Sequence, residues 1–200
     1  MARTKAFDET TVLEKARDLF WKQGYTATSI KELEEHLGIS RSSLYRFFGG
    51  KRALYDRTLA IYQHEGHGQL RKALAGNDNV RQALRDLLVG TALQSHPECK
   101  SKARGCYVVN ATTELANICG EALNFVAENR QQFAVIVQDA LARAQVQGQL
   151  DPSADSVELA DYVFMLYNGL QVVVQTGIER TALVRAVERG IAALPWLVAG

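Results

Sequence analysis

Proline is scarce in this chain of 200 residues, occurring at positions 97, 152 and 195 alone. Because proline removes a backbone donor and clashes with the preceding helical turn, helices are free to run for many turns between those points. Apolar residues in the intervening tracts repeat at three- and four-residue spacing rather than in strand-like alternation. The expected fold class is therefore all-α.

The N-terminal helices carry explicit start and stop signals. Val12, Leu13, Ala16, Leu19 and Phe20 share one face of a first helix, with Asp8 or Thr11 as N-cap and Gly24 as stop. Ser29 followed by Glu32 forms a capping-box pattern for a second helix, whose stripe Ile30, Leu33 and Leu37 ends at Gly38. Ser40 caps a short third helix that turns Leu44, Phe47 and Phe48 inward, and Gly49-Gly50 stops it. Further helices are expected over residues 51–75, 79–95, 105–117, 121–147, 153–176 and 180–194. These divide into an N-terminal domain, 1–50, and a larger domain, 51–200, with the helix from about 51 linking them.

Charge and cysteine content narrow the function classes. The whole chain carries a net charge of only +1, but residues 1–57 hold eleven Lys or Arg against eight Asp or Glu, leaving the remainder mildly acidic. The basic bias sits at one end. Cys99, Cys106 and Cys119 make an odd number, and no apolar segment follows the basic start, so reduced thiols in a cytoplasmic protein without a signal peptide are expected. The longest apolar run, residues 162–174, is interrupted by Asn168, Gly169 and Gln171 and is too short for a bilayer. No membrane association is expected.

Helix two, the tight turn Gly38-Ile39-Ser40 and the short helix three have the spacing of a helix-turn-helix, whose second helix enters the DNA major groove. With the apolar positions turned inward, Arg41, Ser42, Ser43, Tyr45 and Arg46 are left outward. Arginine bonds guanine edges in bidentate fashion, and serine and tyrosine hydroxyls reach phosphates or bases. Lys51 adds its ammonium to the positive end of the next helix, where a phosphate is favoured. Thr28, Ser29 and Ser40, at the starts of helices two and three, complete the candidate DNA-contacting set.

The stretch TSIKELEEHLGISRSSLYRFFGGKRALY, through Thr28, Ile30, Leu33, Gly38, Ser40, Leu44, Tyr45, Phe48, Lys51 and Leu54, resembles the helix-turn-helix of TetR-type repressors over roughly residues 8–60. RGCYVVNATTEL and YNGLQVVVQTG look like the ligand-binding half of one TetR subgroup. The resemblance implies an all-α homodimer whose first three helices read DNA and whose last two pack into a four-helix dimer bundle. It also implies that a small ligand in the larger domain re-spaces the reading heads and releases the operator. Three positions depart from the common pattern: Glu34 and His36, where small residues are usual, and Gly50, where a side-chain cap often stands. Burying an unpaired carboxylate is costly, so Glu34 is expected to be exposed. Arg3 and Lys5 are candidates for a minor-groove arm or for solvated terminal charge.

In the larger domain Val163, Leu166, Leu170 and Val173 form a seam beside the polar stripe Asn168, Gln171 and Gln175. Polar stripes beside apolar seams set register in helix pairs, so dimerisation through this helix and residues 182–194 is preferred over pocket lining. Cys106 follows a basic loop at a helix start, which would lower its pKa and make an electrophile- or oxidant-sensing thiolate; the competing reading is a buried packing residue, which is preferred. Precedent for such a sensor among TetR-like proteins with a similar Gly-Cys context is implied by the resemblance. Cys106, Tyr107, Asn110, Tyr162 and Asn168 are the candidate ligand-binding residues.

Metal and catalytic readings find little support. His64 and His67 lack paired ligands at a zinc spacing and are expected on a solvated face of helix four, where Gly66 and Gly68 permit a kink. There is no nucleophile elbow, phosphate loop or dinucleotide fingerprint, so neither an enzyme nor a cofactor is expected. The expected function is a ligand-responsive transcriptional regulator, a repressor released from a palindromic operator on double-stranded DNA by a small-molecule effector. Two rivals remain at this point: a helical ligand-binding dimer without DNA readout, and a thiol-based redox or electrophile sensor acting through Cys106.

Overall fold

The computed structural model describes residues 7–94, 104–115 and 122–197. Among them nine α-helices follow one another: α1 Glu9–Gln23, α2 Ile30–Leu37, α3 Arg41–Phe48, α4 Lys51–Ala75, α5 Val80–Ala92, α6 Tyr107–Leu115, α7 Ala122–Val146, α8 Ser156–Val173 and α9 Arg180–Ala192. An isolated antiparallel bridge, Leu150 to Trp196, ties the segment after α9 to the loop after α7. Arg3 and Lys5, Cys99, and Cys119 lie outside the described residues.

Local chemistry sets the ends of the first three helices. Asp8 accepts the Thr11 N–H at 2.8 Å, Ser29 and Glu32 cap each other's backbone reciprocally, and the Ser40 hydroxyl accepts the Ser43 N–H. Gly38 closes α2 at φ 68°, a left-handed conformation that a side chain would strain, and so lets the chain turn sharply into α3. At α8 the cap is Asp155, which accepts the Val157 N–H at 2.7 Å. Ser153, the expected start, instead binds Asp151, so the helix is shorter than its apolar pattern.

Two apolar cores result. One gathers Val12, Ala16, Phe20, Leu33, Leu44 and Phe48 with Leu54 and Tyr55 of α4, and it also takes in Tyr107, Val108, Ala111 and Leu115 of α6. The other joins the far end of α4, Leu70 and Leu74, to α5, α7, α8 and α9. A 25-residue helix is about 37 Å long. Thus α4 contributes to both cores from its two ends, and α6, far along the chain, joins the first core against α4 and the end of α1.

Candidate functional site

Helix α3 presents an exposed polar strip. Arg41, Ser42, Tyr45 and Arg46 are exposed and Ser43 is half-buried, while Leu44 and Phe48 are buried in the first core. Three hydroxyls converge at the start of the helix, with Ser40 Oγ 2.9 Å from Ser42 Oγ and 3.1 Å from Ser43 Oγ. The Arg41 guanidinium lies 5.8 Å from the centre of the Tyr45 ring and that of Arg46 lies 5.1 Å from the Phe47 ring. Stacked on an aromatic face, a guanidinium is oriented while its donors stay available.

Glu34 departs from its expected exposure. It is half-buried and accepts the Arg41 backbone N–H at 2.5 Å, so its carboxylate satisfies one of the orphan donors at the start of α3. Gly50 has an equally local reason. It precedes α4 without a side-chain cap, and a Cβ there would stand 3.1 Å from the Tyr45 ring. The α4 N-terminus therefore keeps backbone donors beside the α3 strip.

Two of the candidate DNA residues sit differently from the sequence expectation. Thr28 is fully buried; its hydroxyl donates to the Gly24 carbonyl at 2.6 Å and accepts from Gln23 Nε2, which makes it a brace of the α1–α2 turn and removes it from the surface. Lys51 is half-buried with Nζ 4.2 Å from the centre of the Tyr25 ring. Burial pushes its pKa down, opposed by the Glu114 and Glu32 carboxylates. Ser29 is exposed, but its hydroxyl already accepts the Glu32 N–H at 3.1 Å.

Helix α6 grips the same head from behind. The Glu114 carboxylate accepts two consecutive backbone donors in the α1–α2 turn, Tyr25 N–H at 3.0 Å and Thr26 N–H at 2.6 Å. Gly24 admits it: a Cβ at Gly24, where φ is 85°, would come within 2.9 Å of Glu114 Oε2. Tyr107, buried, sits among the rings of Trp21, Tyr55 and Tyr62, with centroids 5.7–5.9 Å away, and its hydroxyl meets Thr58 Oγ1 at 3.0 Å.

The five candidate ligand residues do not form one site. Cys106 and Asn168 line a cavity of about 390 Å³ together with Tyr62, His67, Tyr167 and Gln171. Tyr107 and Asn110 border a separate cleft of about 850 Å³ between α1 and α6. Tyr162 borders neither; its hydroxyl points to the Gly190 carbonyl of α9 at 3.4 Å. Asn110 is engaged on both ends of its amide, donating to the Arg104 carbonyl at 2.9 Å and accepting from Gln175 Nε2 at 3.1 Å.

The polar stripe of α8 turns inward, against the expectation that it sets a helix pairing. Gln171 is 2% exposed inside the 390 Å³ cavity, and Gln175 is spent on Asn110 and on the Gln171 carbonyl. The apolar seam divides. Val163 and Leu170 belong to the second core, while Leu166 and Val173, with Met165, Leu183 and Ala186, line an open apolar groove between α8 and α9. His67 also differs from its expected solvated position: it is half-buried in the cavity wall, bonded to Asn129, and burial pushes its pKa down. His64 is exposed.

Cys106 is buried, as the packing reading expects. It is 8% exposed in the first core, and burial pushes its thiol pKa up, outweighing the backbone donors of Val109 and Val108 and the Tyr62 hydroxyl 3.8 Å away. The lowering expected from a helix start is therefore outweighed by desolvation, while Lys100 and Lys102 of the basic loop lie outside the described residues.

Residues 12–58 match the family model of bacterial regulatory proteins of the TetR family. The chain is 32% identical over 165 residues to the uncharacterised HTH-type transcriptional regulator YezE of Bacillus subtilis, covering 82% of this chain and 84% of that protein. The chain belongs to the TetR family of transcriptional regulators. It is also 28% identical to the HTH-type transcriptional repressor ComR of Escherichia coli, over 98% of this chain and 93% of that one. Among solved structures it matches a cysteine mutant of the TetR family regulator CifR complexed with 26-bp double-strand operator DNA, at 31% identity and a TM-score of 0.82, across 97% of this chain and all of that one. Reduced NemR of E. coli shares the fold, with a TM-score of 0.80 at 18% identity.

Sequence reasoning about this TetR-family chain missed Glu114, Tyr62 and the inward direction of Gln171. Glu114 had no local signal, because its partners lie 88 and 89 residues earlier. Gln171 was visible as part of a polar stripe, but its direction depends on how α8 is rotated against α7. No described helix is long and apolar enough to cross a membrane, and no cluster of three or more metal-ligating side chains occurs among the described residues.

Proposed function

We propose that this chain is a cytoplasmic homodimeric repressor that reads a palindromic DNA operator and leaves it when a small molecule enters the larger domain. The proposed division of labour is residues 1–50 for DNA and 51–200 for ligand and dimer. The observation that carries this reading is the α3 surface: a helix capped from both Ser40 and Glu34, with Arg41, Ser42, Tyr45 and Arg46 exposed along it. Cations and hydroxyls on a short helix fit the major groove, and the donors of the α4 N-terminus fit an adjoining phosphate.

The apolar groove of α8 and α9 supports the dimer. Met165 is 62% exposed and lines the groove with Leu166 and Val173, an apolar surface that a second copy would cover isologously. Two such copies present two reading heads to half-sites separated by about 34–36 Å, one turn of DNA. The relatives named as repressor and as an operator complex support the same assignment.

The 390 Å³ cavity between α4, α5, α7 and α8 is the proposed effector site, and the protein acts by binding alone, without catalysis or cofactor. Cys106 and Val108 place α6 on its wall, and Glu114 on the same helix holds the α1–α2 turn. An effector that prefers a displaced α6 would thus shift the population of head orientations by its differential affinity. DNase footprinting on the region upstream of the gene tests the reading. Two protected half-sites related by a dyad are expected; no protection at micromolar dimer would overturn it.

A further inference from the structure

The cavity proposed as the effector site has a definite chemistry. Gln171 is buried with its side-chain amide hydrogen-bonded to the Tyr167 hydroxyl, and its Oε1 has no hydrogen-bond partner. A buried acceptor left without a donor is costly, so a ligand that supplies one gains the full benefit of satisfying it. Around it stand Tyr62, Phe133, Phe164 and Tyr167, with Phe133 5.2 Å from the ring centres of both Phe164 and Tyr167. Aromatic walls of this kind favour stacked or edge-on rings.

The wall is also uncharged in its interior. Burial pushes the Tyr62 phenol up and the Tyr167 phenol up to about 12, and it pushes His67 down, so all three stay neutral near pH 7. The charged side chains among the described lining residues are two carboxylates, Glu65, 3.8 Å from Arg17, and Asp86, 3.2 Å from Arg85; no Lys or Arg is among those lining residues. An anion would lose its hydration with no cationic side chain among the described lining residues to replace it. A two-ring aromatic fits comfortably in about 390 Å³.

We propose that this cavity selects uncharged, two-ring aromatic molecules bearing an N–H or O–H donor that bonds Gln171 Oε1, and rejects carboxylates of the same shape. The inference rests on the reading of this cavity as the effector site. Three probes of nearly equal shape separate its parts: 2-naphthamide, with a donor; methyl 2-naphthoate, neutral without one; and 2-naphthoate, an anion. Calorimetric titration of the full-length protein is expected to rank them in that order, with the amide tighter than the ester by about tenfold or more. In Gln171→Met, which keeps the volume and removes the acceptor, the amide should lose its advantage over the ester while thermal stability is retained or raised.

Equal or tighter binding of 2-naphthoate, an ester as good as the amide in the unmodified protein, or failure of all three to bind at millimolar concentration would each overturn the ligand class. The wild-type ranking decides even where Gln171→Met misfolds. A gel shift with the operator in the presence of 2-naphthamide separates the two levels. Binding in the expected order without release of DNA would refute the effector role of the cavity and leave its selectivity standing.

Discussion

Glu114 on α6 holds Thr26 in the α1–α2 turn by a 2.6 Å hydrogen bond between a carboxylate oxygen and a backbone N–H, with the neighbouring Tyr25 N–H on its other oxygen. Charge-assisted bonds to two consecutive amides fix a turn in position as well as in energy. The pair joins the helix that borders the proposed effector cavity to the head that carries α3.

Replacing that carboxylate should therefore affect stability and regulation together. Glu114→Ala is expected to lower stability by about 1–2 kcal/mol, leaving the part-buried Tyr25 amide unpaired and the exposed Thr26 amide to water. It should also flatten the dependence of operator affinity on effector, because α6 no longer drags the turn. Thermal melts and operator titrations with and without ligand check this. A variant with unaltered induction would remove Glu114 from the coupling path.

The contact between Glu34 and Arg41 separates backbone from side chain. Glu34→Ala should cost about 1 kcal/mol as a lost helix cap, and operator affinity should fall through a less well-set α3. Arg41→Ala keeps the backbone N–H bonded to Glu34, so its melting temperature and dimer should be unchanged while operator affinity drops by about tenfold or more, as expected for a lost base contact worth roughly 1–3 kcal/mol. Side-by-side melts and anisotropy titrations of the two variants give the contrast.

Thiol chemistry should be slow at Cys106. With the thiol buried and its pKa raised, labelling of Cys106 by iodoacetamide, followed by mass spectrometry of its peptide, is expected to lag far behind labelling in urea. Cys106→Ser should still respond to the effector. Rapid labelling in the folded protein would return the sensing alternative to consideration.

His67 gives a signed dependence on pH. Its folded-state pKa lies below the ordinary 6.5, chiefly through burial. Above 6.5 both folded and unfolded forms are neutral; as pH falls below that value the unfolded chain takes up the proton first and stability declines. His67→Gln should therefore lose less in melting temperature between pH 7.5 and pH 5.5 than the unmodified protein does. An equal or larger loss in the variant would contradict the burial of this imidazole.

Local signals carried much of the fold into view. Asp8, the Ser29 and Glu32 pair, Ser40, Gly24, Gly38 and Gly49 each act on neighbours within a few residues, and all stand at helix ends as their chemistry requires. The outward strip Arg41, Ser42, Tyr45 and Arg46 followed from the same periodicity. What escaped depended on packing between distant segments. Tyr162 turns toward α9 and Gln171 faces a cavity, because the rotation of each helix is set by partners tens of residues away, whereas Thr28 turns in through bonds only four and five residues long, to Gly24 and Gln23, whose geometry depends on how the α1–α2 turn folds. Desolvation likewise reversed the sign expected for Cys106, which no count of neighbouring charges reveals.

The central claim is that the exposed side of α3 reads DNA. Fluorescence anisotropy of the dimer on its own upstream region, compared with the double variant Arg41→Ala/Arg46→Ala, tests it most directly. The account predicts tight, salt-sensitive binding that falls by at least about a hundredfold in a double variant that still melts and dimerises normally. Unchanged affinity in that variant would contradict it.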